Sequence, residues 1–463
     1  MPTGIRDYPA RAREIIRKDP GVRGSVTGAT IAFDEKRRRS YAEIDADAWR
    51  RWAEGVKNHT LTHLDRYLTE AEARLKANGA EVHWAEDASE AREIVMEVAR
   101  RHSVHDVVKG KSMLTEEIDL NPALERARID VQETDLGEFI LQLFDDSPSH
   151  ILGPAIHKSL QQVRNLFAEV LRTDKDADPG TLAQAARSAL RDIFIRADMG
   201  ITGANFLVAE TGTVALIENE GNIRQTTSLP RVHVAVVGIE KLLPRMTDLA
   251  GFLQLTARAA TGQPIGCFVS LIQGPALHPE DDGPEEVHVI LVDNGRTDVL
   301  AHEHAWEALR CLRCGACLNV CPVYRQTGGH AYGHVYSGPI GSVLDPGLLG
   351  LREAMPLPFA SSLCGACFDA CPVRIPIPEL LLEWRREAQE AGLTPWKERA
   401  ALAGLAGVAT RPALYRAAGK LGSRLAGTRM ARSLPMLGAW AEDRALPKPS
   451  RRTFRELWRE GIE

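Results

Sequence analysis

Cys311-Leu-Arg-Cys314-Gly-Ala-Cys317-Leu-Asn-Val-Cys321-Pro322 and, downstream, Ser361-Ser-Leu-Cys364-Gly-Ala-Cys367-Phe-Asp-Ala-Cys371-Pro372 are two copies of one pattern. The first places four cysteines at C-x2-C-x2-C-x3-C and closes on proline. The second keeps the spacing, but Ser361 stands where its first cysteine would be. Of the eight cysteines, only Cys267 lies outside the segment from Cys311 to Cys371. Residues 1–20 hold no apolar core of signal-peptide length, so a reducing compartment is expected, where clustered cysteines hold metal rather than pair as disulfides. C-x2-C pairs by themselves also occur in zinc ribbons. Two nested copies that each end in Cys-Pro favour iron–sulfur clusters over zinc. Cys267 sits in an apolar, strand-like run and reads as a small buried core residue.

The spacing has a physical cause. Three thiolates on one tight loop reach three irons of a cubane, while the fourth follows on a short helix, points away and reaches the other cluster. Crossed in this way, Cys311, Cys314, Cys317 and Cys371 hold cluster 1. Cys321, Cys364 and Cys367 hold cluster 2, which lacks one thiolate. Cluster 2 is then a three-iron cluster, a four-iron cluster closed by Ser361, a histidine such as His330 or water, or a cluster completed by a partner. His330 and His334 lie in the glycine-rich stretch 326–341 between the runs. Its glycines let backbone N–H groups approach sulfur, and such hydrogen bonds tune reduction potential. The plainer role of the two histidines is packing and loop hydrogen bonding.

Outward from this segment, the chain has 463 residues, 44% hydrophobic and 26% charged, with a net charge of -5. That is the balance of a soluble globular protein of two or three domains, and it argues against a dedicated nucleic-acid binder. The longest stretch free of Asp, Glu, Lys and Arg, 259–279, contains three prolines and only a strand-length apolar core, so no membrane span is expected. A cytoplasmic protein follows, free or attached peripherally to a membrane. Residues 1–75 read as a helical extension. Residues 76–300 read as an α/β domain with a largely parallel, buried sheet. Its expected strands lie at 80–84, 105–108, 129–133, 213–217, 232–237, 267–272 and 287–292, with helices at 88–101, 137–143 and 181–198. Residues 301–385 form the two-cluster module and 386–463 a basic helical tail. From 384 onward, 16 Lys and Arg face 8 Asp and Glu, an excess of eight positive charges that leaves -13 on the remainder.

Clusters move single electrons, whereas a hydride acceptor requires a flavin or nicotinamide site. No Gly-x-Gly occurs anywhere, so a dinucleotide fingerprint is absent. Lys109-Gly-Lys-Ser112 looks like the end of a phosphate loop, but His105 replaces its first glycine. The candidate ligand loops of the α/β domain are 200–206, 210–213 and 219–222, which also read as plain turns.

The chain resembles the lactate utilisation protein B family, iron–sulfur subunits of a three-protein bacterial L-lactate oxidation system. The resemblance spans essentially its whole length. It is carried by Lys109-Gly-Lys-Ser-Met-Leu-Thr-Glu-Glu117, Glu133-Thr-Asp-Leu-Gly-Glu138, Pro148-Ser-His-Ile151, Gly200-Ile-Thr-Gly203, Glu210-Thr-Gly212, Asn219-Glu-Gly-Asn222, Asp282-Gly-Pro-Glu285, Asp293-Asn-Gly-Arg296, the histidine-rich loop and Ser361-Ser-Leu-Cys364. The three-cysteine second run is typical of that family. The resemblance implies a lactate-utilisation (LUD) domain, similar to sugar-phosphate isomerase and CoA-transferase folds. It also implies two partners, a cysteine-rich protein and a second LUD-domain protein. The role it implies is a subunit of an L-lactate oxidoreductase rather than an enzyme acting alone. Electrons then pass singly through two clusters to an unidentified acceptor. Two rival readings stand beside it: Lewis-acid chemistry at an iron lacking a protein ligand, and a redox-dependent binding protein whose basic tail docks an acidic partner or an anionic membrane.

Overall fold

Apolar runs between residues 81 and 292 form ten strands among the described residues: β1 (Glu81–Ala85), β2 (Asp106–Lys109), β3 (Asp130–Glu133), β4 (Met199–Thr202), β5 (Phe206–Val208), β6 (Thr213–Glu218), β7 (Val232–Gly238), β8 (Leu242–Leu243), β9 (Phe268–Ile272) and β10 (Glu286–Val292). The computed structural model describes residues 4–278, 280–425, 450 and 452–461. The start of the expected helical extension (1–3) and much of the expected basic tail (426–449, 451 and 462–463) lie outside the described residues.

Six strands build one sheet in the order β1-β10-β7-β4-β2-β3, and every pairing in it is parallel. All seven residues of β7 are buried, as a Val- and Ala-rich strand covered on both faces should be. A second sheet, ordered β8-β5-β6-β9, is mixed, with β6 antiparallel to both β5 and β9. The runs at 213–217 and 267–272 therefore leave the parallel sheet and pair with each other.

Two expectations are corrected. Residues 200–203 are not simply a loop, because Met199–Thr202 is a strand paired on both sides by β2 and β7. Cys267 is exposed rather than a core residue. It precedes β9, an edge strand that shows Phe268 and Leu271 to solvent. An apolar run at an edge is covered on one side only.

Helix starts follow from capping. Asp87 accepts the Glu90 N–H before Ala88–Arg101, Ser112 caps Met113–Glu117, and Asp135 caps Leu136–Phe144. Ala88–Arg101 turns Ala91, Val95, Val98 and Ala99 inward, where they join β2, β4 and β10 in one apolar cluster. The N-terminal helices contribute Val26, Ala53 and Leu61 to a core that also contains Leu309, Leu318 and Tyr324 from the cysteine-rich segment. Met1–Glu387 forms one compact unit and Ala388–Glu463 a second. The second contains helices Trp396–Ala409, Pro412–Leu425 and Phe454–Arg459. No helix among the described residues is long and apolar enough to cross a membrane.

The strand order positions a crevice. The chain runs from β2 outward to β3 on one side, and from β4 to β7 on the other. The carboxyl ends of β2 and β4 thus flank a topological switch point, where open parallel sheets leave room for ligands. Gly200 permits the close packing behind it, since a Cβ there would lie 1.9 Å from the Thr226 carbonyl oxygen. Gly200→Ala is expected to destabilise the protein by about 1–3 kcal/mol in urea unfolding. Gly55→Ala, inside helix Ala46–Thr62 with no atom within 4 Å of its Cβ position, should instead stabilise by about 0.5–1 kcal/mol.

Candidate functional site

The two cysteine runs fold alike. In the first, Arg313 (φ 60°) and Gly315 (φ 73°) turn the chain into the short helix Ala316–Val320. In the second, Leu363 (φ 54°) and Gly365 (φ 84°) do the same before Ala366–Ala370. Helix Ala46–Thr62 clamps the second run. Arg50, buried, donates from Nε to the Cys371 carbonyl and from Nη2 to the Phe368 carbonyl, both at 2.8 Å. Arg310, fully buried, pairs with Glu54 at 2.8 Å and with Glu307.

Cys311, Cys314, Cys317 and Cys371 line one tight cavity of about 20 Å³, walled by Ile151, Leu312, Ile340, Val373, Ile375 and Ile377. Burial, followed by the neighbouring Cys311, pushes the Cys314 thiol up to about 12. Burial raises Cys317 as well, reinforced by Cys311 and Cys314. Thiols so placed lose their protons only when cations take their place. Cys321, Cys364 and Cys367 form the second set. Burial and then Cys321 push the Cys367 thiol up to about 12, while Cys364 is exposed. The first set is thus buried but for half-buried Cys311, while the second reaches the surface at Cys364.

Backbone N–H groups point at the sulfurs, from Arg313 to Cys311 (3.3 Å), Tyr324 to Cys321 (3.4 Å) and Ile375 to Cys371 (3.4 Å). Ser361 repeats the first of these, its Oγ accepting the Leu363 N–H at 3.1 Å. The serine oxygen thus holds the place in its turn that the Cys311 sulfur holds in the first. His330 is engaged elsewhere, donating its Nε2–H to the Ser147 carbonyl (2.8 Å) with its ring 4.5 Å from that of His157. His334 pairs with Asp345 at 3.0 Å.

A cleft of about 360 Å³ opens at the switch point, and Ile151, Leu312 and Arg313 line both it and the four-cysteine cavity. The loop at 148–153 holds this shared wall. Buried His150 accepts the Leu152 and Gly153 N–H groups at Nδ1 (3.0 and 3.1 Å) and donates from Nε2 to Asn319 (3.0 Å). Burial lowers this imidazole to about 4, so it stays neutral.

The segments after the strand ends bring charge to the cleft: Lys111 after β2, Glu240 and Lys241 after β7, and Arg296 after β10. Arg296, fully buried, binds both Glu117 oxygens at 2.9 Å and Glu240 at 2.6 Å. Tyr336 donates to Glu117 and lies under Arg313, whose guanidinium is 4.4 Å from the ring centroid. Burial works to raise Glu240, but Arg296 and then Arg313 hold it down at about 2. Burial, followed by Arg313, lowers Lys241 to about 8.

Of the loops expected to bind ligand, residues 203–205 of the first and Asn219, Glu220 and Asn222 of the last line the cleft. Residues 210–213 do not; Gly212 packs on the end of helix Leu64–Ala77, where a Cβ would lie 2.7 Å from the Leu75 nitrogen. Lys109 sits in a buried pair with Glu133 (2.8 Å) rather than in a phosphate loop. Sequence reasoning missed Glu117, Glu240, Lys241, Arg296, Arg313 and Tyr336. The available signal was charge directly after apolar strand runs, at Gly238-Ile-Glu240-Lys241 and Gly295-Arg296.

Three family models match: the LUD domain over residues 68–292, the 4Fe-4S dicluster domain over 307–375, and the C-terminal region of lactate utilisation protein B over 386–462. "Lactate utilization protein B" of Bacillus cereus (strain AH820) is 41% identical over 454 residues, covering 96% of this chain and 95% of that protein. The protein of that name from Geobacillus thermodenitrificans (strain NG80-2) is 41% identical, covering 99% and 98%.

The buried Glu240 pair yields a prediction. Because Glu240 titrates lower when folded than its ordinary 4.5, the stability it contributes is present above that value and is lost as pH falls toward about 2. Glu240→Gln leaves Arg296 and Arg313 short of their counter-charge and should cost about 3–5 kcal/mol near neutrality. Thermal unfolding between pH 5 and pH 2 should fall less steeply in that variant than in the wild type.

Proposed function

The chain belongs to the lactate utilization protein B family, and we propose that it is the iron–sulfur electron-transfer subunit of a multi-protein assembly oxidising L-lactate to pyruvate. The observation that carries this reading is the pairing of a largely buried four-cysteine cavity, which shares three wall residues with a charged cleft, with a three-cysteine set open to the surface at Cys364. Lactate oxidation releases two electrons and two protons. Clusters accept electrons one at a time, so two of them in series suit transfer from a buried site to an outside acceptor.

Cys311, Cys314, Cys317 and Cys371 would hold cluster 1, and Cys321, Cys364 and Cys367 cluster 2. The residues fit these groups. The buried thiols of Cys314, Cys317 and Cys371, pushed up chiefly by burial, call for cations, and the backbone N–H groups of Arg313, Tyr324 and Ile375 are placed to bond the sulfurs. Ser361 Oγ would close cluster 2, since it repeats the turn geometry of Cys311, whereas the Nε2 of His330 is spent on Ser147. The assembly is cytoplasmic in this reading. Its other members are a cysteine-rich subunit and a second LUD-domain protein, and the acceptor meets the Cys364 side.

Anaerobic reconstitution should give roughly seven or eight irons per chain; two or fewer would return the zinc reading. The crossed ligand set makes a sharper prediction. Cys371→Ala should remove the same electron paramagnetic resonance signal as Cys314→Ala, leaving roughly half the iron. Loss of the Cys367 signal instead would refute the crossing. With both partners present, L-lactate should reduce the clusters of the wild type. Ser361→Ala should reduce iron retention at cluster 2, whereas Ser361→Cys should retain it.

A further inference from the structure

Four basic side chains, Lys111, Lys241, Arg296 and Arg313, line the cleft at the switch point beside four acidic ones, and the acids have partners of their own. Glu218 accepts the N–H groups of Ile223 (2.7 Å) and Arg224 (2.9 Å). Glu220 accepts the Leu136 N–H at 3.0 Å, and Asp135 caps the helix that Leu136 begins. Glu240 is committed to Arg296 at 2.6 Å and meets Arg313 only at 3.4 Å. These carboxylates are occupied in holding backbone and Arg296.

Two of the cations keep donor atoms that no hydrogen bond uses. The Arg313 side chain is 93% buried (7% exposed), and its Nη1 has no hydrogen-bond partner among the described residues. The buried Lys111 Nζ has no hydrogen-bond partner either, although it ion-pairs with Glu138 at 3.6 Å. Lys241 lines the same space. A buried donor left without a hydrogen-bond acceptor is costly, and a ligand or water in the cleft would supply one.

We infer that this cleft binds the carboxylate of a small 2-hydroxy acid, with Arg313 and Lys111 as its anchors and Lys241 beside them. A guanidinium presents paired N–H donors in the geometry that a carboxylate accepts. About 360 Å³ accommodates a molecule of a few heavy atoms with accompanying water. The unbonded donors of Arg313 and Lys111, with the volume, select the carboxylate class. The 2-hydroxy group is the part that rests on the lactate-utilisation reading above. Because Arg313 lies between Cys311 and Cys314, the anchor belongs to the loop that walls the four-cysteine cavity, and a bound acid would lie directly against that wall. Arg313 is thus a binding residue whose place is set by the cysteine run.

Calorimetric titration of the full chain, reconstituted anaerobically, with L-lactate and separately with inorganic phosphate tests this. L-lactate should bind, and Lys111→Met, Lys241→Met and Arg313→Gln should each weaken binding roughly ten- to hundredfold, the range of one charge-assisted contact. Iron content and visible absorption report cluster integrity. Lys111 and Lys241 lie outside the cysteine runs, so their variants keep the test decisive if Arg313→Gln loses iron. Affinity unchanged in the two lysine variants would overturn the inference, as would phosphate binding without lactate binding. Absence of lactate binding, while lactate still reduces the clusters once both partners are added, would place the substrate in another subunit and leave the electron-transfer reading standing. Lactate binding without such reduction would uphold the cleft and overturn the electron-transfer reading.

Discussion

Cys371 has to lie in the same cavity as Cys311, Cys314 and Cys317, and the architecture around the cysteine runs is built to bring it there. The two runs are separated by a segment that includes helix Gly338–Leu349, of which Ile340, Val343 and Leu344 are buried in the shared core. Returning the chain after such an excursion costs loop entropy, which local contacts must offset. Arg50 binds the carbonyls of Phe368 and Cys371, while Arg310 reaches back to Glu54. Arg50 locks the returning run, and Arg310 the start of the first run, to helix Ala46–Thr62. The N-terminal helices therefore act as a clamp on the cysteine module. Their apolar faces lie in one core with Leu318 and Tyr324, so the module has no separate core of its own size to rely on.

The same economy governs the wall between cavity and cleft. Arg313 is fixed by the C-x2-C turn, with a left-handed backbone and its own N–H on Cys311, so its side chain can leave in only a narrow range of directions. It leaves over the Tyr336 ring toward Glu240. Glu240 in turn is held by Arg296, which is held by Glu117. A chain of alternating charges thus runs from the ends of β7 and β10 to the first cysteine turn. Buried charges of this kind add little net stability against an apolar core, but they penalise any displacement that breaks a pair. The arrangement fixes the sheet ends against the cysteine loop rather than merely packing them together.

The sequence discloses the parts whose signal is local. Cysteine spacing marked the two-run module, and β-branched runs such as 232–237 marked the buried strands, because a central parallel strand must be apolar on both faces. Met199–Thr202 escaped notice because two of its four residues are Gly and Thr and its partners, β2 and β7, lie far away in the chain. Leu242–Leu243 is too short to show any period. Cys267 misled for the opposite reason: an apolar run looks the same whether its strand is central or at an edge, and only sheet order distinguishes them.

The cleft was hardest to see. Glu117, Glu240, Arg296 and Arg313 are spread over most of two domains' worth of sequence, and each alone reads as a surface charge. Their burial follows from topology, since a parallel sheet gathers the loops after its strands at one end, and the reversal between β2 and β4 opens a space there. The expected loops at 200–206 and 219–222 were found through their glycines, which mark close approach rather than chemistry. Gly203 illustrates the difference, because a Cβ there would strike Ser112 Oγ at 2.5 Å. It keeps one wall of the cleft thin, while the charges that give the cleft its character come from residues that no spacing rule connects.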